Sequence, residues 1–113
     1  MCALADQQCV PCRGDVPPLG DDRVSELLEE LDGWSIEQGF HLTKTFRFPD
    51  FAKALAAVNR IGAMAEEQGH HPDIHLAWGV VNVEIWTHKI GGLTESDFVF
   101  AAKTDGVVAS TGG

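Results

Sequence analysis

The feature that most constrains the fold is the segment 51–68, which has the spacing of an amphipathic helix. Pro49 and Asp50 precede it and Gly69 follows it, as residues that begin and end helices do. A helix of this length is about 27 Å long and can lie across a whole sheet. The apolar residues predicted to face that sheet are Phe51, Ala54, Leu55, Val58, Ile61, Gly62 and Ala65.

Alternating apolar and polar residues predict one pair of strands on each side of this helix. Segments 34–37 and 40–48 form a hairpin around Gln38-Gly39, and segments 74–77 and 80–87 form another around Trp78-Gly79. Two further helices are predicted. The first begins at Asp21 or Asp22 and runs to about Leu31, and the second begins at the capping-box-like Thr94-Glu-Ser-Asp97 and ends by Gly106.

This order of elements predicts an α+β domain, a four-stranded antiparallel sheet with three helices packed on one face. The chain has 113 residues, of which 44% are hydrophobic, enough for one core. We expect the domain at residues 21–106, after an irregular cysteine-containing arm (1–20) and before a flexible tail (107–113). A sheet covered on one face leaves an edge and apolar surface, which predicts a homodimer or homotetramer.

Composition argues against several classes of protein. No apolar stretch approaches the ~20 residues that cross a bilayer, and the first residues do not resemble a secretory signal, so we expect a cytoplasmic protein. Seventeen acidic and eight basic side chains give a net charge of −9, which argues against direct binding of nucleic acid. The sequence contains no glycine-rich phosphate loop and no nucleophile elbow.

The three cysteines all lie in the predicted arm, at Cys2, Cys9 and Cys12. An odd number crowded at one end cannot form a disulfide framework. The single CxxC lacks the second ligand pair of a structural zinc site. The arm is therefore predicted to be reduced and unliganded, with a metal or redox site completed by a second subunit as the alternative.

The histidines give the strongest indication of chemistry. His70 and His71 are adjacent at a junction made rigid by Pro72, one helical turn after Glu66, and His88 ends the last predicted strand. In a hairpin, that strand end returns towards His70 and His71. Exposed histidines without a function, a zinc site and acid–base catalysis all remain open. Adjacent side chains in an extended segment point to opposite sides, which disfavours one ion bound by both.

A spaced set of residues resembles the signature of the pterin-4a-carbinolamine dehydratases: Glu66, His70, His71, Pro72, Trp78, His88 and Asp97. The resemblance covers residues 20–105 and implies the same α+β fold. It implies a hydro-lyase that removes water from 4a-hydroxytetrahydropterin to give quinonoid dihydropterin, recycling the pterin cofactor of aromatic amino acid hydroxylases. Neither a metal nor an organic cofactor is implied. A non-catalytic dimerisation or regulatory binding module of the same fold is the alternative.

The same resemblance implies a role for each site residue. His70 and His88 would form the acid–base pair, and His71 would contribute to binding and protonation. Animal members often carry an aromatic residue where this chain has Ile74, so no ring contact is expected there. The carboxylates implied to orient the imidazoles are Glu66 and Asp97. The residues implied to contact the substrate are Trp34, Pro72 and Trp78.

Overall fold

The computed structural model describes residues 19–37, 41–87 and 92–110. Seven elements follow one another in the predicted order. They are α1 (Asp21–Glu29), β1 (Ser35–Glu37), β2 (His41–Arg47), α2 (Phe51–Gln68), β3 (Asp73–Ala77), β4 (Val80–Ile85) and α3 (Glu95–Ser110). The three cysteines, the turn at Gln38-Gly39 and His88 lie outside the described residues.

The four strands form one antiparallel sheet in the order β1-β2-β4-β3. The two hairpins predicted from sequence are present, and they join where β2 pairs with β4. In the second hairpin Asp73 lies opposite Glu84, and this register continues to the turn at Trp78-Gly79. The predicted α+β class with a four-stranded antiparallel sheet and three helices is confirmed.

The core lies between one face of the sheet and the helices. α2 and α3 pack on the strands, and α1 packs on α3. Burial of each large apolar side chain contributes about 1.5–3 kcal/mol to folding. Among the described residues, no helix combines the length and apolar character needed to cross a membrane. The largest buried apolar side chains include Leu27, Leu42, Ile61, Val81, Val83, Ile85, Phe98 and Phe100.

Helix α2 has the predicted bounds, but its buried face is rotated from the predicted one. Phe51 and Leu55 are 43% and 39% exposed. Small alanines occupy much of the buried face, whereas the bulky pair Phe51 and Leu55 faces outwards. Apolar spacing alone does not separate these two stripes, because both repeat at helical intervals. The buried positions are Ala54, Ala57, Ile61, Met64 and Ala65.

The ends of the other two helices differ from their predicted positions. α1 begins after Gly20 with no side-chain cap, so Asp21 and Asp22 lie in its first turn, and it ends at Glu29. α3 does not end at Gly106 but continues to Ser110, so the predicted flexible tail is wrong for residues 107–110. Val108 is buried there, and its packing offsets the roughly 1 kcal/mol that glycine costs inside a helix.

The β3–β4 turn is fixed against the segment that leads into α2. Phe48 donates its backbone N–H to the carbonyl oxygen of Gly79 at 2.8 Å. A Cβ added to Gly79 would lie 2.8 Å from the carbonyl oxygen of Phe48, closer than real Cβ atoms come. This turn therefore requires glycine because two backbones meet there.

Candidate active site

His70 lies where the chain leaves α2. The helix ends at Gln68, and Gly69 caps it with a left-handed φ of 64° and ψ of 29°, a conformation that favours glycine. The backbone N–H groups of Gly69 and His70 both donate to the carbonyl oxygen of Ala65, at 3.2 Å for His70. This cap ends α2 and turns the chain so that the His70 ring meets the N-terminal turn of α3.

The His70 imidazole is paired with the carboxylate of Asp97. Nε2 of His70 lies 2.7 Å from Oδ1 of Asp97. The side chain of His70 is 10% exposed and that of Asp97 is fully buried. The Phe100 ring, one helical turn beyond Asp97, lies 5.4 Å from the imidazole between ring centroids. The imidazole is thus held at its edge by a buried carboxylate and flanked by a buried aromatic ring.

The second oxygen of Asp97 is occupied as well. Oδ2 accepts a hydrogen bond from the Thr87 hydroxyl at 2.8 Å and another from the Thr94 backbone N–H at 2.7 Å. Thr94 directly precedes α3, so the bond to its N–H is half of the capping box predicted at this position. These contacts all suit an ionised carboxylate, which only accepts hydrogen bonds. Nε2 of a neutral His70 is then the donor, and Nδ1 carries the lone pair.

His71 pairs with a different carboxylate, that of Glu66 in the last turn of α2. Nε2 of His71 and Oε2 of Glu66 are 2.5 Å apart. The two side chains are 62% and 78% exposed, unlike the buried pair of His70. The structure therefore brings four of the predicted residues together as two separate carboxylate–imidazole pairs on adjacent histidines.

The predicted return of the second hairpin towards His70 is confirmed as far as Thr87. If the β3–β4 register is continued beyond the pair Asp73 and Glu84, Thr87 lies opposite His70. The side chains of Thr87 and His70 both contact the Asp97 carboxylate. Thr87 also forms a β-bridge with Gly92, donating its N–H to the Gly92 carbonyl at 2.9 Å. His88 lies outside the described residues, so its proximity to the pairs stays a prediction.

No group of three or more histidine, cysteine, aspartate and glutamate side chains within residues 19–37, 41–87 and 92–110 is arranged to hold a metal ion. A zinc ion needs about four converging ligands. His70 and His71 instead each contact their own carboxylate. Catalysis without a metal stays a prediction for the whole chain.

Comparison with known proteins identifies the family. The family model described as pterin 4 alpha carbinolamine dehydratase matches residues 17–107. The chain belongs to this family. A relative from Rubrobacter xylanophilus, named "Putative pterin-4-alpha-carbinolamine dehydratase", is 53% identical over 105 residues, which are 93% of this chain and 98% of the relative.

Two solved structures extend the comparison of this dehydratase-family chain to three dimensions. A transcriptional coactivator/pterin dehydratase from Brucella melitensis is 33% identical with a TM-score of 0.76, covering 80% of this chain and 98% of that one. A pterin dehydratase-like protein identified as a RuBisCO assembly factor in the alpha-carboxysome is 31% identical with a TM-score of 0.59, covering 68% and 90%. The dehydratase fold thus also occurs in a protein with a different described function.

The residues predicted to contact the substrate are spread over the molecule. Pro72 directly follows His71 and precedes β3. Trp78 is 68% exposed in the turn at the other end of β3, roughly 20 Å along the strand from His71. Trp34 is buried and donates its Nε1–H to Asp105, which lies about 12 Å along α3 from the site aspartate. The structure therefore brings only Pro72 next to the two pairs.

Two contributors to the dehydratase-family site, Thr87 and Phe100, were not predicted from the sequence. The capping box at Thr94 already predicted that the Asp97 carboxylate would turn back to the start of α3. The register between β3 and β4 places Thr87 beside His70, but the sequence alone did not determine that register. No sequence signal marked Phe100, since an apolar residue in a helix packs in the core in most cases.

Proposed function

We propose that this chain catalyses the dehydration of 4a-hydroxytetrahydropterin to quinonoid dihydropterin by general acid–base catalysis with histidines. The buried His70–Asp97 pair, with Nε2 and Oδ1 2.7 Å apart, carries the proposal. Membership of the dehydratase family supports the reaction type. In this reading the enzyme is a hydro-lyase that recycles the pterin cofactor of aromatic amino acid hydroxylases.

The reaction requires one proton to be delivered and another to be removed. The C4a–O bond breaks, and the leaving oxygen takes up a proton and departs as water. A proton leaves the neighbouring ring nitrogen, and its electron pair forms the new carbon–nitrogen double bond. Hydroxide is a poor leaving group, so a general acid and a general base each accelerate the step, typically about 10²–10⁴-fold.

His70 is suited to one of these proton transfers. Asp97 accepts the hydrogen of Nε2 and so favours one tautomer of the ring, in which the Nδ1 lone pair is available to the substrate. The carboxylate also stabilises the imidazolium that forms when Nδ1 takes up a proton. We assign the second transfer to His88 on the sequence pattern alone.

His71 and the predicted contact residues complete the proposed substrate site. The exposed His71–Glu66 pair can bind the ligand and take part in protonation at the mouth of the site. Pro72 lies next to it and can contact the flat pterin ring. Substrate contacts by Trp34 and Trp78 stay predictions, as does a cytoplasmic location.

A dehydration assay with enzymatically generated carbinolamine tests the proposal. We expect His70→Ala and His88→Ala each to lower the enzyme-catalysed rate by about 10²–10⁴-fold. His75→Ala is the matched control, since His75 is an exposed histidine on β3 that makes no part of either pair. Circular dichroism and light scattering check that folding and assembly persist in each variant.

The assay also separates the proposed enzyme from the alternative, a dimerisation or regulatory binding module. The solved relative described as a RuBisCO assembly factor supports keeping this alternative, because its described function is not dehydration. Wild-type protein that does not accelerate dehydration above the spontaneous rate would favour the binding module. Variants at His70 and His88 that match an active wild type would overturn the acid–base assignment alone.

We further propose that the chain forms a homodimer or homotetramer. Phe51 and Leu55 expose large apolar side chains on α2, and Trp78 exposes a third. Exposed apolar residues of this size, when contiguous, mark association surfaces. Light scattering of the purified protein should give a mass of two or four chains, and a mass of 12.2 kDa would contradict the proposal.

A further inference from the structure

Thr87 makes a contact to the candidate site that the mechanism above does not use. Its hydroxyl donates to Oδ2 of Asp97 at 2.8 Å, and its side chain is buried with a residue exposure of 4%. The hydroxyl also lies 3.2 Å from the hydroxyl of Thr94. Thr87, just after β4, is therefore connected to the His70 imidazole through the Asp97 carboxylate.

We infer that Thr87 is a positioning residue that fixes the tautomer and orientation of His70 through Asp97, an inference that rests on the proposed function of His70. The terminal torsion of an aspartate side chain is broad and only weakly fixed by its own geometry. Three donors on Oδ2 hold the carboxylate plane: the Thr87 hydroxyl at 2.8 Å, the Thr94 N–H at 2.7 Å and, at a longer 3.4 Å, the Thr94 hydroxyl. Oδ1 then has one position, which faces Nε2 of His70.

The donors from Thr87 and from Thr94 are not equivalent. The Thr94 N–H belongs to the backbone at the start of α3, and it fixes the carboxylate to that helix. The Thr87 hydroxyl comes from the segment just after β4, where Thr87 forms an isolated bridge with Gly92, and it links the same carboxylate to that segment. Without the Thr87 hydroxyl, Asp97 would keep its hydrogen bond to the Thr94 N–H. Its carboxylate would lose the contact to Thr87 that limits rotation about its terminal torsion.

The consequence concerns which nitrogen of His70 carries the hydrogen. A carboxylate oxygen held against Nε2 favours the Nε2–H tautomer and leaves Nδ1 as the basic atom. If the carboxylate can rotate, this preference weakens and part of the population carries its hydrogen on Nδ1. That population cannot accept a proton at Nδ1, so kcat falls while substrate binding is largely kept.

Thr87→Val tests the inference because valine has nearly the shape of threonine and no hydroxyl. We expect kcat to fall by about tenfold or more, in the range for residues that orient a functional imidazole, with KM changed by less than about threefold. Nitrogen NMR of the neutral imidazole should show His70 losing the signature of a single Nε2–H tautomer. Thr87→Ser, which keeps the hydroxyl, should restore both readouts.

Thr104→Val is the matched control. Thr104 is fully buried on α3, and its hydroxyl donates to the Phe100 carbonyl, away from the Asp97 carboxylate. The control should lower stability without changing kcat or the His70 nitrogens. If Thr87→Val does not fold, Thr87→Cys takes its place, since its thiol is only a weak donor, and the same losses are expected.

Wild-type kcat together with unchanged His70 nitrogen shifts in the folded variant would overturn the inference. Equal losses in the valine and serine variants would overturn it too, because they would indicate packing rather than the hydroxyl. The NMR readout needs no substrate. An inactive wild-type protein would therefore contradict the proposed dehydration, whereas unchanged His70 nitrogen shifts would contradict the positioning role of Thr87.

Discussion

The two carboxylate–imidazole pairs use the same chemistry on adjacent histidines, yet they differ in almost every physical respect. Asp97 is fully buried and the His70 side chain is only 10% exposed, and the two residues are 27 positions apart in sequence. His71 and Glu66 are mostly exposed and five residues apart. The buried carboxylate has further donors on its second oxygen, whereas the exposed one faces solvent.

Because of this difference, the His70–Asp97 pair can fix which nitrogen of an imidazole carries the hydrogen, whereas the His71–Glu66 pair can rearrange when a ligand binds. A buried hydrogen-bonded pair is costly to break, because removing one partner leaves a buried polar atom of the other, Nε2 or Oδ1 in this pair, without its hydrogen bond. An exposed pair contributes about 0–1 kcal/mol and is weakened by salt. We therefore expect chemistry to depend on His70 and ligand contact to depend on His71.

Replacing the buried carboxylate should have the largest effect. Asp97→Asn removes the charge that holds Nε2 of His70 and weakens the start of α3. We expect kcat to fall by about 10²–10⁴-fold and the free energy of unfolding to fall by about 1–3 kcal/mol. Enzyme assays and urea unfolding measure the two losses. Glu95→Gln is the control in the same helical turn: it weakens an exposed ion pair with Arg23, 3.0 Å apart, so we expect unchanged kcat and a loss of less than about 1 kcal/mol in the free energy of unfolding.

A double-mutant cycle on each pair compares their coupling free energies directly. For His70 and Asp97 we expect about 1–3 kcal/mol, little changed between about 0.05 and 0.5 M salt because burial limits screening. For His71 and Glu66 we expect less than about 1 kcal/mol, declining over the same range. Equal couplings with equal salt dependence would refute the comparison.

Gly69 tests how far both pairs depend on the end of α2. Gly69→Ala should lower the free energy of unfolding by about 1–2 kcal/mol, because its φ of 64° is unfavourable for a residue with a Cβ. Gly62→Ala is the control: space is also open there, and φ is not positive, so we expect stabilisation of about 0.5–1 kcal/mol. Thermal unfolding of both variants measures these changes in stability. A neutral Gly69→Ala would show that the cap does not constrain the histidines.

The smallest effect is expected at the exposed carboxylate. Glu66→Gln should change the free energy of unfolding by less than about 1 kcal/mol and lower kcat by no more than about tenfold. Glu67→Gln, one residue along the same helix, is the control for the loss of a negative charge. A loss of kcat at Glu66 as large as that at Asp97 would show that proton transfer depends on the exposed pair as much as on the buried one.

Local signals were enough to predict most of the fold. Asp50 and Gly69 gave both ends of α2, and the alternation around Trp78-Gly79 gave the second hairpin. Predictions failed where packing outweighed a local signal. Gly106 suggests the end of a helix, but the burial of Val108 carries α3 past it.

The candidate site was predictable in its residue types but not in its pairing. Spacing placed His70, His71 and Glu66 together because all three lie within one turn of the helix end. The partner of His70 lies 27 residues away, and its choice depends on how α3 packs against the sheet. The same holds for Thr87, whose contribution depends on the strand register rather than on any motif.

The double engagement of Asp97 has a consequence for comparing relatives of this chain. One oxygen of that side chain secures the start of a helix, and the other serves the imidazole. A descendant that had abandoned catalysis would still unfold more readily without this aspartate, so the residue would persist after its chemical purpose had gone. In the part of the chain that the structure describes, the His70 imidazole caps no helix and packs beside Phe100. The identity of the residue at position 70 is therefore the better criterion for separating catalytic relatives from non-catalytic ones.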